Sequence, residues 1–234
     1  MSGHSKWATT KRRKAAVDAK KSANFTRLAN SIAIAAKESG DPESNFKLRM
    51  AIEKAKAGSL PRENIDRAIK RGTGELGGQQ IEDMIYEGYG PEGIALIIEV
   101  MTDNKNRASQ NIKHILSKYG GNLGSPNSVM WQFSQKGVIT LEQNQLADEM
   151  QLELIDSGAE DIRTDEGVTI YTPVDQFENV KKKIENLNLA TLDAGLEYVA
   201  KDMIKPKKDE TLLKLFEDLD NCDDVNNFYS NADL

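Results

Sequence analysis

Lys6, Lys11, Arg12, Arg13 and Lys14 put five cations into nine residues, and the nearest acid is Asp18. Side chains of this type at this spacing neutralise phosphate oxygens. With few acids beside them they repel one another, so the segment orders when counter-charge arrives. At 100° per residue, the consecutive cations Lys11 to Lys14 spread over about 300° of a helix. That spread suits phosphates approaching from several sides better than one groove floor. Trp7 adds a ring that either stacks on a base or anchors the arm on the protein. Lys20, Lys21 and Arg27 extend the run, and Lys70 with Arg71 forms a second cluster. The candidate nucleic-acid-binding residues are therefore Lys6, Trp7, Lys11, Arg12, Arg13, Lys14, Lys20, Lys21, Arg27, Lys70 and Arg71. The second cluster also has a purely structural reading. Glu63 with Arg67 and Asp66 with Lys70 are i,i+4 pairs, and cations favour a helix C-terminus.

Other reactive side chains are few. His4 and His114 are the histidines, and Cys222 is the single cysteine. They exclude an internal disulfide and leave little for a metal centre. His114 is expected at the surface or half-buried. No nucleophile-elbow, zinc-protease or phosphate-loop pattern occurs, and no catalytic residues, cofactor or metal are expected. The nine acids against one arginine in residues 142–166 read as a solvated face. Asp103, Asn104, Lys105 and Arg107 make a candidate functional loop where a strand meets a helix; capping of that helix is the favoured role. Gly72-Thr73-Gly74-Glu75-Leu76-Gly77 matches the dinucleotide fingerprint, but it follows a helix instead of a strand, so it reads as a helix end and linker.

The elements that must position these residues follow from periodicity. Alanines at 15, 19 and 23 mark a weak helix over 11–24. Phe25, Leu28, Ile32 and Ala36 form a stronger stripe that Gly40 ends. Asp41-Pro42-Glu43 predicts the next helix start, with Leu48, Ala51, Ile52 and Ala55 inward to Gly58. Ser59-Leu60-Pro61 opens another, with Ile65, Ala68 and Ile69 inward. Strands are expected at 81–87, 94–101, 129–133, 138–141, around 160–163, at 168–171, 192–199 and 225–229. Helices are expected at about 105–119, 145–157, 174–187 and 211–219. Residues 138–203 have the β-α-β-β-α-β order of ferredoxin-like domains. The preceding β-β-α-β stretch lacks a helix and a strand, which the chain end can supply. The fold class is α+β: a small helical N-terminal domain and two α+β, ferredoxin-like domains, the third inserted into the second. The expected bounds are 1–75 for the basic helical domain, 80–134 plus 205–234 for the discontinuous one, and 135–204 for the inserted acidic one.

Charge divides along the same lines. The 234 residues carry a net charge of −6, yet residues 1–71 hold 17 Lys and Arg against 7 Asp and Glu. The remainder holds 14 against 30, so the two parts carry +10 and −16. The basic part attracts phosphates, and the acidic part repels them or meets a basic partner; the bland alternative is that the basic helices dock on the acidic body. The longest clean apolar run, Ile94 to Ile98, is far short of a membrane span, and no secretory signal is expected, which points to the cytoplasm.

Several segments together resemble the YebC family. They are Gly3-His4-Ser5-Lys6-Trp7, Arg13-Lys14-Ala15-Ala16, Gly40-Asp41-Pro42-Glu43 and Arg67 to Gly74. Tyr86 to Pro91, Thr102-Asp103-Asn104, Gly120 to Gly124 and Tyr229 to Asp233 continue the match in order along essentially the whole chain. Arg12 stands where many relatives have His, and Glu197 to Asp202 departs from the usual pattern. The resemblance implies three domains and a probable DNA-binding transcriptional regulator. It also implies a link to translation, through organelle activators and stalled ribosomes. The resulting expectation is a non-enzymatic regulator of gene expression that binds DNA, or alternatively ribosomal RNA as a translation factor. Its acidic domains would meet ribosomal or other basic proteins, without a membrane. A metabolite-sensing domain is the second alternative.

Overall fold

The computed structural model describes residues 21–77, 81–164, 167–207 and 209–234. Among the described residues three helices come first: α1 (Lys21–Ala35), α2 (Phe46–Ala57) and α3 (Arg62–Gly72). Leu28, Ile32 and Ala36 meet Leu48, Ile52 and Ala55, and Leu60, Ile65 and Ala68 close the same core. The start of α2 differs from the expectation. Asn45, not Asp41, is its N-cap, and its Oδ1 accepts the Leu48 N–H at 3.0 Å. The Asn45 amide also donates to the Ala35 and Ser39 carbonyls at 2.7 and 2.8 Å. One buried side chain thus satisfies the end of one helix and the start of the next. Asp41 instead folds a local turn, accepting the Glu43 N–H at 3.0 Å.

A four-stranded antiparallel sheet follows, in the order β3-β1-β2-β8. Its strands are β1 (Glu82–Tyr89), β2 (Ala95–Thr102), β3 (Asn122–Leu123) and β8 (Val225–Ser230). Helix α4 (Lys105–Lys118) joins β2 to β3, and α7 (Asp209–Asp220) precedes β8. The chain end therefore supplies the missing helix and strand. Ile98 lies opposite Phe228, and the Phe228 ring meets that of Phe216 on α7 with centroids 5.1 Å apart. Lys118 and Tyr119 both reach Asp218 at 2.8 Å, tying α4 to α7. The two-residue strand β3 was not foreseen. Its approach to β1 depends on Gly121, where a Cβ would fall 2.2 Å from the Tyr89 carbonyl oxygen.

The second sheet has the order β5-β6-β4-β7. It comprises β4 (Phe133–Leu141), α5 (Asp148–Asp156), β5 (Asp161–Arg163), β6 (Thr169–Thr172), α6 (Phe177–Asn186) and β7 (Thr191–Ala200). This is the ferredoxin-like order, which the first sheet does not share. The expected separate strands at 129–133 and 138–141 are corrected: residues 130–132 form a 3-10 turn, and one strand runs from Phe133 through Gly137 to Leu141. Gly137 is no breaker here. A Cβ at Gly137 would lie 2.5 Å from the Phe177 ring, so glycine lets α6 press onto the strand.

The chain forms two compact units. One contains α1 to α4, α7 and the first sheet, up to Val129 and from Pro206 to Ser230; the other contains Met130–Lys205, with α5, α6 and the second sheet, and Asn231–Leu234. No helix among the described residues is long and apolar enough to cross a membrane. Within the first unit, Phe216→Ala is expected to destabilise by about 3–5 kcal/mol, because the ring is fully buried against the chain-terminal strand. Leu213→Ala, on the exposed side of the same helix, should cost under about 1 kcal/mol. Chemical denaturation of the two variants checks this, and equal midpoints would show that the C-terminal helix is no part of the core.

Candidate nucleic-acid interface

Helix α3 buries Ile65 and Ala68 and leaves Arg62, Glu63, Asp66, Arg67, Lys70 and Arg71 exposed. The intrahelical pairs expected from sequence do not close. Among the described residues Arg67, Lys70 and Arg71 have no ion-pair partner. At 100° per residue these three cations fall within a sector of about 100° on one side of the helix. They sit in its last turns, where cations are favoured by the free carbonyls. The helix itself is held close to α1: a Cβ at Gly72 would come 2.2 Å from the Ala33 carbonyl oxygen. The sequence after it is a helix end and a turn. The Thr73 N–H caps onto the Ile69 carbonyl, and Gly74 and Gly77 take positive φ of 85° and 63°.

The other candidates are placed differently. Lys6, Trp7, Lys11, Arg12, Arg13, Lys14 and Lys20 lie outside the described residues, and Lys21 stands at the start of α1. Arg27 faces the chain end, not solvent. Its guanidinium pairs with the Asp220 carboxylate at 3.3 Å, donates to the Asp220 carbonyl, and reaches the Cys222 carbonyl at 3.1 Å. With only 17% of its side chain exposed, Arg27 caps the C-terminus of α7. Periodicity places Arg27 on α1, but nothing near it in sequence foretells a partner 193 residues away.

The loop after β2 forms a closed clamp. Asn104 Oδ1 accepts the Arg107 N–H at 3.0 Å and caps α4. Thr102 Oγ1 donates to Asp224 Oδ1 at 2.7 Å. The Arg107 guanidinium holds both Asp224 oxygens, at 2.6 and 3.2 Å, and Asp103 at 3.1 Å. Asn111 adds a contact to Asp224 at 3.4 Å, while Lys105 pairs outward with Glu82 at 2.6 Å. The Asp224 side chain is 6% exposed. Burial pushes its carboxyl up, but the hydrogen bonds from Arg107 and Thr102 and the charge of Arg107 outweigh that and hold it below the ordinary carboxylate range. Asp224, absent from the sequence candidates, is thus the centre of this cluster. His114 lies exposed on α4. Burial pushes the Cys222 thiol above its ordinary value. No group of three or more His, Cys, Asp or Glu suited to a metal occurs among the described residues.

A family profile described as the TACO1/YebC protein N-terminal domain matches residues 5–75. A second, described as the TACO1/YebC second and third domain, matches residues 81–232. The chain belongs to the TACO1/YebC family. A probable transcriptional regulatory protein of Caldanaerobacter subterraneus is 48% identical over 240 residues, covering 100% of this chain and 99% of that one. A protein of Treponema pallidum bearing the same description is 45% identical over 242 residues, covering 100% of this chain and 98% of its own. The crystal structure of a conserved hypothetical protein from Aquifex aeolicus superposes with a TM-score of 0.86 at 38% identity, covering 98% of this chain and 97% of the other.

Several segments that carry the TACO1/YebC resemblance have structural work in this chain. Gly121 admits β3, and Thr102-Asp103-Asn104 builds the Asp224 clamp. Arg67 to Gly74 differs, because it presents cations outward. The clamp makes a pH-dependent contribution. Asp224 has a depressed folded pKa, so its stabilisation is present above the unfolded carboxylate value of about 3.9 and is lost as pH falls through the folded value. Asp224→Asn is expected to cost about 1–3 kcal/mol at neutral pH and to flatten the loss of stability below about pH 4. Urea midpoints measured from pH 7 down to pH 2.5 test this; parallel curves for the two proteins would show that the carboxylate has no such role.

Proposed function

We propose that this protein is a non-enzymatic regulator of gene expression that grips nucleic-acid phosphates through its basic helical domain. The observation that carries the reading is the outward sector of Arg67, Lys70 and Arg71, exposed and without ion-pair partners among the described residues on a packed helix. It lies in the same +10 segment as the cluster Lys6 and Lys11 to Lys14. The names of the relatives support a role in transcription regulation, and DNA is the ligand we infer for it.

One observation favours weak base discrimination: the cations of α3 sit at its C-terminal end, whereas groove-reading helices commonly contact bases near their N-termini. The run Lys11 to Lys14, outside the described residues, adds four consecutive cations whose expected spread suits phosphates from several sides. Structured RNA, including ribosomal RNA, offers phosphates from several sides and is the second ligand this arrangement suits. The acidic domains then serve for orientation or for meeting a basic protein. On α5, Leu152 and Ile155 are exposed beside Asp148, Glu149 and Asp156, a surface that fits a cationic partner with an apolar edge. A cytoplasmic location and a division into three domains belong to the same proposal.

Affinity for duplex DNA should fall by about 0.9 log units per log unit of salt for each phosphate neutralised. Replacing Lys11, Arg12, Arg13 and Lys14 by Ala, or Arg67, Lys70 and Arg71 by Ala, should each weaken binding and reduce that slope. Competition between a promoter fragment and its scrambled sequence should show little preference. A thousandfold preference at physiological salt would establish sequence-specific readout instead. Unchanged slopes in both variants would remove the helical domain as the contact surface.

A further inference from the structure

Trp131 is a large indole placed where its neighbours in the chain are buried. Val129 and Phe133 are 0% and 5% exposed, whereas Trp131 is 67% exposed. It sits on the 3-10 turn Met130–Gln132 that enters β4. The backbone under the ring is pinned. The Gln132 carbonyl accepts the Lys201 N–H at 2.9 Å, and Phe133 lies opposite Ala200 in the β4–β7 ladder. The Lys201 ammonium donates to the Trp131 carbonyl at 2.8 Å, which holds a cation beside the ring's own backbone. The chain leaving β7 continues this charge: residues 201–207 contain Lys201, Lys205 and Lys207 against the single acid Asp202. All three lysines are exposed, and Lys205 and Lys207 have no ion-pair partner among the described residues. This cationic stretch stands out in the acidic part of the chain.

An exposed aromatic on a fixed backbone, with one lysine beside it and further lysines close in the chain, is a combination that holds a single strand, the ring taking a base and the ammonium groups its phosphates. A base inside a duplex has both faces covered and cannot use the ring. We propose that Trp131, with Lys201 and Lys205, is a second nucleic-acid contact, in the compact unit that contains Met130–Lys205, taking an unpaired base of a single strand. This rests on the nucleic-acid reading above and adds a site far in sequence from the basic helical domain.

The test uses the full chain with Trp7→Phe, which leaves Trp131 as the sole tryptophan. Oligouridylate and oligothymidylate of about twelve nucleotides should quench its fluorescence, and a duplex of equal length should not. Quenching by one of the two strands only identifies RNA or single-stranded DNA as the source, and quenching by both shows that the base alone matters. In the otherwise native chain, Trp131→Ala should weaken single-strand binding at least about fivefold and leave duplex affinity unchanged, while Trp131→Phe should retain most of it. Lys201→Gln with Lys205→Gln should lower the salt dependence of single-strand binding. Equal losses on single strand and duplex, or no loss with Trp131→Ala while the cluster variants of the helical domain do lose affinity, would overturn this site and leave the main reading standing. A native chain that binds no nucleic acid would overturn both.

Discussion

The pairing of β8 with β2 is the contact on which the first unit depends. Strand β2 is almost wholly buried and needs a partner on each side. One partner, β1, follows from a local hairpin, and the other comes from beyond the whole stretch Met130–Lys205 that forms the second compact unit. Closing that sheet brings α7 onto α4, carries Asp220 and the Cys222 carbonyl to Arg27, and sets Asp224 between Thr102 and Arg107. The chain end thereby secures the helical bundle and the central sheet with the same few residues. Because this closure has high sequence separation, it carries a large loop-closure entropy that the buried Phe216, Phe228 and Val225 must offset.

The same arrangement sorts the cations. Arg27 is spent on the end of α7, while Arg67, Lys70 and Arg71 remain outward because their helix buries only its opposite side. A cation count alone treats these as equivalent. Only the packing tells a cation that caps a helix from one that meets solvent and is available to a polyanion. By the same test Asp103, Asn104 and Arg107 are a clamp around Asp224, whereas Lys105 pairs outward with Glu82.

Much of the fold was legible because it is local. Ile94 to Met101 could only be a buried strand, the stripe Phe25, Leu28, Ile32 and Ala36 could only be one face of a helix, and the strand-helix alternation after residue 138 carries its own topology. The rest depends on distant partners. Asn45 caps a helix because Ala35 and Ser39 offer it carbonyls, a geometry that competing signals at Asp41-Pro42-Glu43 obscure. The single long strand β4 runs through Gly137 because Phe177 presses on it there, a contact that the separate strands expected at 129–133 and 138–141 do not reveal. Strand β3 is too short for any period, and the centrality of Asp224 requires knowing that residues 102, 107 and 111 surround it. In the candidate interface, the second cluster was legible as charge, yet its freedom from Glu63 and Asp66 was not. Trp131 carried no signal of exposure, since its apolar neighbours suggest a buried strand.

The central claim is that the helical domain holds nucleic-acid phosphates with little regard for base sequence. Ultraviolet crosslinking in living cells, with both the crosslinked peptides and the attached nucleic acid identified, addresses it most directly. The account predicts that crosslinks concentrate in residues 1–77, including the segment carrying Arg67, Lys70 and Arg71, and fall on structured nucleic acid without a shared sequence. Crosslinks confined to residues 133–200, or a single promoter sequence recovered with the helical domain, would contradict it.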